Sequence, residues 1–364
     1  MACISDVALG QWLSGTLSAQ EHKAIVVHVE TCASCREIWA AVVLEARATP
    51  GLQLPPDQPA AIAAANARYT LKNELVRGGM GRILRADDRV LQREVAIKCL
   101  REDHGDPARF AREIAVLSRL SHPAIVAIFD AGWLAPDFPY FAMPLLQGET
   151  LEQHLQRPRD ATYRLALMRR LMPIINAVAY AHNEGILHRD IKPQNIFVGQ
   201  FDECVLLDWG LAADASRPES ANEPPHTTIA SDATAGLTRV GQGMGTVGFS
   251  APEQLAGHRV DERADVYGLG AVLYYVLTNQ APTSDALVHV CALTPALPND
   301  LGSVIMRALA PAATDRYASA AELATELERY YAGLLVTGHH YSPREIIWRW
   351  LRSHRALVAV ATVT

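Results

Sequence analysis

The sequence predicts an α+β protein of two lobes, a small β-rich one and a large helical one, preceded by a small all-α module. Three observations carry this reading. Short β-type runs such as Glu94-Val-Ala-Ile-Lys-Cys-Leu100 begin at Tyr69, and helical periodicity dominates after about residue 150; strands followed by helices indicate an α+β unit. Ahead of them, residues 1–48 read as short helices around a cysteine cluster. With 364 residues, 49% apolar and 20% charged, the chain has material for two or three domains and a substantial core.

The leading module, residues 1–48, has one helix start at Leu17-Ser18-Ala19-Gln20-Glu21 and a second candidate helix from Cys35 to Ala48. Between them His28-Val-Glu-Thr-Cys32-Ala-Ser-Cys35 has the spacing H-x3-C-x2-C, with Cys3 upstream. Two cysteines separated by two residues wrap a tetrahedral ion from a tight turn. His28 lies one helical turn before Cys32 on the same side, and Cys3 completes a closed structural Zn2+ site. The competing reading is a pair of structural or redox thiols beside a surface histidine. The opening Met-Ala-Cys-Ile-Ser-Asp has no basic start followed by an apolar run, so no secretory signal is expected and the expected compartment is a reducing cytoplasm. Cys99, Cys204 and Cys291 lie singly in apolar stretches and read as quiet thiols.

Residues 49–68, with Pro50, Pro55, Pro56, Pro59 and an alanine-rich run, read as a linker. No internal repeats follow. The net charge of −6 gives no basic footprint for nucleic acid, and none is expected as a partner.

From Tyr69 onward the sequence holds, in order, the parts that phosphoryl transfer requires: a phosphate cradle, a cation, magnesium ligands and a group that orients the attacking hydroxyl. Arg77-Gly-Gly-Met-Gly81 lies between two strand-like runs, and Gly78 and Gly81 let backbone amides approach phosphate oxygens; alone, such a stretch is more often a simple turn. Val95-Ala-Ile-Lys98 ends a strand in a lysine. Arg109-Phe-Ala-Arg-Glu113-Ile-Ala-Val-Leu117 reads as an amphipathic helix from which Glu113 reaches Lys98, the alternative being a surface charge. In His188-Arg-Asp-Ile-Lys-Pro-Gln-Asn195, Asp190 is the candidate acceptor of the substrate proton, Lys192 the cation for the γ-phosphate and Asn195 a magnesium ligand. Asp208-Trp-Gly210 then offers the second magnesium ligand. Each string alone has a bland reading as a turn or cap, but their order leaves little room for coincidence.

Over residues 69–330 this set resembles the eukaryotic-like serine/threonine protein kinases of bacteria, and the domain is expected to span 69–332. The resemblance implies a two-lobed protein kinase fold that uses ATP with Mg2+ or Mn2+ and acts on protein substrates. It implies catalytic roles for Asp190, Lys192, Lys98 and Glu113. Val76, Gly78, Gly81, Ile83, Ala96 and Lys98 surround the nucleotide. Met143 acts as gatekeeper in Phe141-Ala-Met143-Pro144-Leu145-Leu146, and the Pro144 carbonyl and Leu146 amide read the adenine. Asn195 and Asp208 hold the metal. It further implies that Ala251-Pro-Glu253 closes an activation segment, that Glu253 pairs with Arg316, and that Asp265 braces the catalytic loop. Lys192, two residues after Asp190, and Gly245-Thr246 ahead of Ala-Pro-Glu favour a serine or threonine acceptor.

Two positions depart from the family: Val76 replaces the first glycine of the loop, and Trp209 replaces the phenylalanine of Asp-Phe-Gly. Val76 is expected to stiffen the loop, and Trp209 to change the energetics of the switch rather than its chemistry. The segment from Ala212 to Thr246, rich in small and polar residues, reads as a long functional loop. Arg189 beside Asp190 calls for a counter-anion, which autophosphorylation at Thr227, Thr228, Ser231, Thr234 or Thr238 would supply, with a homodimer as one route. Thr246 is expected to partner Asp190 and Lys192. The rival reading is a weakly active or pseudokinase scaffold whose first module binds a transcription regulator.

That module is similar to the zinc-binding domain of anti-sigma factors, which implies a sigma factor or other regulator as partner, with oxidant sensing or dimerisation as alternatives. At the other end, residues 333–355 read as a basic juxtamembrane-like helix containing Arg344, Arg349, Arg352 and Arg355. The nine uncharged residues 356–364 read as the start of a transmembrane helix, which needs about 20 residues. The implied location is a cytoplasmic kinase domain, anchored in the inner membrane C-terminal to Arg355 if the chain continues past Thr364. The alternative is a tail packed on the helical lobe.

Overall fold

The computed structural model describes residues 58–77, 81–100, 107–136, 138–201, 203–214, 247–283, 287–343 and 345–346, which form a β-sheet lobe followed by a helical lobe. The small lobe is a five-stranded antiparallel sheet in the order β1-β2-β3-β5-β4. Its strands are β1 (Tyr69–Arg77), β2 (Gly81–Asp88), β3 (Arg93–Leu100), β4 (Asp130–Ala135) and β5 (Phe138–Pro144). Side chains alternate across a strand, so β3 divides its residues between two faces. Val95, Ile97 and Cys99 enter a core with Leu84, Ala86, Tyr140 and Ala142. Ala96 and Lys98 share the opposite face with their register partners: Met143 beside Ala96, and Ile83 and Phe141 beside Lys98. A one-residue slip would exchange the faces and bury Lys98 in the core.

The core face is covered by helix α1, Gln58–Arg68, which corrects the expectation of a linker over these residues. Alanine-rich sequence is the best helix former, and Pro59 falls in the first turn, where its missing N–H is harmless. Ala65 joins the sheet core. At the helix end, Arg68 donates through Nε and Nη2 to Asp88 at 3.3 and 3.0 Å, and through Nη1 to Asp130 at 3.1 Å. Tyr69 and Tyr140 donate their hydroxyls to the same Asp130 oxygen, at 3.0 and 3.3 Å. Burial, reinforced by the Asp130 charge, raises both phenols above their ordinary range. The Arg68 hydrogen bonds hold the buried Asp88 carboxyl below its usual range. Asp88 also accepts the N–H groups of Val90 and Leu91, both at 3.1 Å, fixing the turn into β3.

Helix α2, Pro107–Arg119, lies between β3 and β4 in the chain. In the large lobe, a three-stranded sheet joins β6 (Gly148–Thr150), β8 (Ile196–Gly199) and β9 (Cys204–Leu206), while β7 (Ile186–Leu187) pairs with β10 (Ala213–Asp214). The centre of this lobe is a helix over Glu262–Thr278, capped by Asp261 and buried without a break from Ala264 to Tyr274. Such all-round burial needs small residues where neighbours press close. A Cβ at Gly270 would meet Ala308 at 2.8 Å, and one at Gly268 would meet Ile191 at 3.0 Å.

The last long helix, Ala320–Tyr331, packs on the helix Met172–Asn183. Residues 333–342 carry no helix, contrary to the helix expected over 333–355. Gly333, at φ 76°, ends the helical run, and side chains of the lobe then take up the backbone. Val336 is buried and donates its N–H to Tyr341 Oη, and Thr337 N–H donates to Glu326. Residues 343, 345 and 346 are helical, and residues 344, 347–364 and 1–57 lie outside the described residues, with Arg344, Arg349, Arg352 and Arg355 among them. Among the described residues no helix is long and apolar enough to cross a membrane.

Arg68→Ala should lower the stability of the full chain by about 2 kcal/mol, because it removes charge-assisted hydrogen bonds from a buried carboxylate. Urea unfolding checks this; an unchanged midpoint would show that the helix end contributes nothing to the lobe.

Candidate active site

Lys98 sits on the open face of β3, and Glu113 faces it from α2. Lys98 Nζ donates to both Glu113 oxygens, at 2.6 and 2.7 Å, and the two side chains are only 13% and 4% exposed. Burial drives the Glu113 carboxyl up against the pull of Lys98, and the negative charge of Asp208 adds to the rise. Arg109, one turn before Glu113 on α2, donates from Nε to the Gly210 carbonyl at 3.2 Å, tying the helix to the segment that bears Asp208.

The second half of the site is the loop after β7. Lys192 Nζ reaches both oxygens of Asp190, at 2.9 and 2.7 Å. Asn195 Nδ2 donates to Asp190 Oδ2 at 2.9 Å and to its carbonyl at 2.8 Å. The Leu207 N–H, next to Asp208, donates to the Asn195 carbonyl at 2.7 Å. Hydrogen bonds therefore tie the helix of Glu113, through Arg109, to the segment that bears Asp208, and that segment, through Leu207, to Asn195, Asp190 and Lys192.

This loop is held from beneath. The Asp265 carboxylate, 2% exposed, accepts the backbone N–H of His188 at 2.8 Å, that of Arg189 at 2.7 Å, and His182 Nε2 at 2.9 Å. Burial alone would raise this carboxyl; the hydrogen bond from His182, the nearby His182 and His188 rings and the His188 N–H outweigh it and hold it below the ordinary range. Two donors from consecutive residues force an unusual backbone, and Arg189 has φ 67°. His188 accepts the Asp190 N–H at Nδ1 and donates from Nε2 to the Leu207 carbonyl, which fixes it as the Nε2–H tautomer.

A family model described as a protein kinase domain matches residues 69–293. The chain belongs to the protein kinase family. It is 34% identical over 299 residues to serine/threonine-protein kinase PknD of Protochlamydia amoebophila, covering 73% of this chain and 30% of that protein. It is 35% identical over 286 residues to serine/threonine-protein kinase PknB of Mycobacterium tuberculosis, covering 73% of this chain and 43% of that protein. The chain thus spans less than half the length of either relative. The crystal structure of the M. tuberculosis PknI kinase domain superposes with a TM-score of 0.53 at 27% identity, covering 74% of this chain and 97% of that one.

The family uses ATP with Mg2+ or Mn2+, and the donors of the kinase fit such a group: Asn195 and Asp208 offer hard oxygen ligands, and Lys98 is partly buried against Glu113. Asp208 is itself turned into the left-handed region at φ 57°, with the Gly210 N–H on its Oδ1 at 3.3 Å. Ile83, Ala96 and Met143 occupy the face that carries Lys98. Pro144, opposite Val95, ends β5, and Leu146 follows in the connection to β6. Val76, at the outer end of β1, is 56% exposed. Gly81 has a reason that the sequence did not reveal: a Cβ there would meet the Cys99 carbonyl at 2.7 Å. Gly78, Thr246, the candidate phosphosites Thr227, Thr228, Ser231, Thr234 and Thr238, and Cys3, His28, Cys32 and Cys35 lie outside the described residues. Among the described residues no group of three histidine, cysteine or acidic side chains is arranged to hold a metal.

Glu253 and Arg316 form a two-pronged ion pair at 2.7 and 2.9 Å. Arg316 spends its other donors on the carbonyls of Ala310, Arg263 and Pro311. Two supports escaped sequence reasoning. His182 reads as an unremarked helix-end residue, and Gln254, which donates to the Arg189 carbonyl at 2.6 Å, reads as a surface amide. Only a fold that brings residues 83 and 65 positions apart into contact exposes their role.

Asp265→Asn should destabilise the kinase by about 3 kcal/mol at neutral pH, since an amide in that seat sets N–H against N–H. The folded-state pKa of Asp265 lies below its unfolded value, so its contribution is complete above the unfolded pKa and fades as pH falls through the folded one. The stability gap between wild type and Asp265→Asn should therefore be flat at neutral pH and narrow below about pH 4. Denaturant unfolding across pH measures it; a gap that widens in acid would contradict the assignment.

Proposed function

We propose that this chain is a serine/threonine protein kinase that transfers the γ-phosphoryl group of ATP to hydroxyls of protein substrates in bacterial signalling. The observation that carries the reading is that Lys98–Glu113 and Asp190–Lys192–Asn195 are both tied to the segment bearing Asp208, the first through Arg109 and the second through Leu207. Serine or threonine as acceptor is supported by Lys192, two residues after Asp190, and by the names of the relatives.

Bound Mg-ATP supplies the phosphoryl group and a divalent charge that offsets its oxygens. Lys98, held by Glu113, presents its ammonium to the α- and β-phosphates, and burial strengthens that attraction. Asn195 and Asp208 would hold the metal. Asp190 takes the proton from the substrate hydroxyl as its oxygen bonds to the γ-phosphorus and ADP departs. Lys192, already on the Asp190 carboxylate, balances charge as it builds on the transferred group. Ile83, Ala96 and Met143 pack on the adenine, with Val76, Gly78 and Gly81 above the phosphates. The Pro144 carbonyl and Leu146 amide bond the base. Phosphate on Thr227, Thr228, Ser231, Thr234 or Thr238 answers the charge of Arg189, with Thr246 on the catalytic pair. A second copy of the chain is a route to that modification.

Residues 1–48 form a zinc module in this proposal, with Cys3, His28, Cys32 and Cys35 as ligands, supported by the H-x3-C-x2-C spacing. Its suggested partner is a sigma factor or another regulator. Membrane attachment beyond Arg355 rests on the arginine-flanked apolar run alone.

With radiolabelled ATP and a generic protein substrate, Asp190→Asn should cut transfer by about 10²–10⁴-fold while ATP still binds; transfer at the wild-type rate would remove Asp190 from the mechanism. Native mass spectrometry of the full chain should find one zinc ion, lost in Cys32→Ala; a chain that carries none would end the zinc assignment.

A further inference from the structure

Trp209 follows Asp208 and is the largest fully buried side chain among the described residues. Its ring stands edge-on to His188, with centroids 4.5 Å apart and planes at 63°. Its Nε1–H is also buried, and it meets no hydrogen-bond acceptor among the described residues. An indole N–H can only donate, so no rotation or change of protonation relieves it. Phenylalanine, which the family carries here, has no such donor.

The segment around Trp209 is tied through its backbone groups, and the Gly210 carbonyl accepts from Arg109 Nε at 3.2 Å. Ala212 N–H donates to the Trp209 carbonyl at 3.0 Å, Gly210 N–H to Asp208, and Leu207 N–H to Asn195. Asp208 itself holds a left-handed backbone at φ 57°. Were this segment to swing out, the indole N–H would gain water, whereas in its inward seat it meets no acceptor among the described residues. Only the inward seat bears that penalty, so it acts on the position of Asp208.

We propose that the Trp209 indole N–H weakens the inward seat of the Asp208–Gly210 segment, making Trp209 a positioning residue that keeps the metal-binding Asp208 ready to leave its place. The consequence for catalysis rests on the phosphotransfer reading of Asp208; the weakened seat does not. The larger apolar area of tryptophan favours the same seat, so the two effects oppose each other. Trp209→Phe would remove both at once and is uninformative.

The deciding variant replaces Trp209 by 3-benzothienylalanine, which keeps the fused rings and puts sulfur where the N–H stood. Native-state hydrogen exchange of the peptide containing the Ala212 amide, in the full chain without nucleotide, reads how often the segment opens. Exchange should slow by about five- to 150-fold, the range corresponding to an unmet buried donor, and thermal unfolding should move upward. Exchange that is unchanged or faster overturns the proposal, as does a variant that melts lower or fails to fold, since each would reveal an acceptor for the N–H. If the wild-type chain transferred no phosphate, the functional reading would fail instead, and exchange at Ala212 would still decide this inference.

Discussion

A single buried carboxylate underlies the geometry of the catalytic loop. Asp265, on the most deeply buried helix of the large lobe, takes hydrogen bonds from two consecutive backbone N–H groups and from His182. A charge in that position is tolerable only because every one of its contacts is a donor. The pull on neighbouring amides bends Arg189 into the left-handed region. It also aims Asp190 where Lys192 and Asn195 can both reach it. Gly268, three residues along the same helix, admits Ile191 of the loop at close range, so packing and hydrogen bonding fix the same conformation.

The small lobe solves a different problem, which is to hold one lysine on a face that must stay open. The alternation of β3 places Val95, Ile97 and Cys99 inward and Lys98 outward. The inward face is then sealed by the helix Gln58–Arg68, whose terminal arginine spans Asp88 and Asp130. The region ahead of the sheet is therefore part of the lobe's core and not a tether. Between the lobes' chemistry, Arg109 and Leu207 form the seam: one ties the helix of Glu113 to Gly210, the other ties Asp208 to Asn195.

Much of this was legible in the sequence, for a physical reason. Phosphate and metal chemistry concentrates in short strings such as His188 to Asn195, where function fixes residue types at fixed spacing. The strand character of Glu94–Leu100 and the helix around Glu113 follow from local periodicity. Supports that depend on tertiary contact were not legible. The alanine-rich run before Tyr69 has little amphipathic pattern, and four nearby prolines made it look like a linker, although only Pro59 lies within the helix. The arginines after Tyr341 suggested one long helix, whereas Val336, Thr337 and Tyr341 hold the chain in a non-helical path on the lobe. His182 and Gln254 gave no sign because each acts on backbone far away in sequence. Trp209 was visible as a departure, but whether its N–H finds an acceptor depends on packing alone.

The central claim is that these side chains surround one nucleotide. A crystal structure of the full chain with magnesium and a non-hydrolysable ATP analogue tests it most directly. The account requires Lys98 Nζ against the α- and β-phosphates, with Asn195 and Asp208 on the metal and Asp190 facing the terminal phosphoryl group. A nucleotide bound elsewhere, or one seated in the cleft with Lys98 still committed to Glu113 alone and the metal held by other residues, would contradict it.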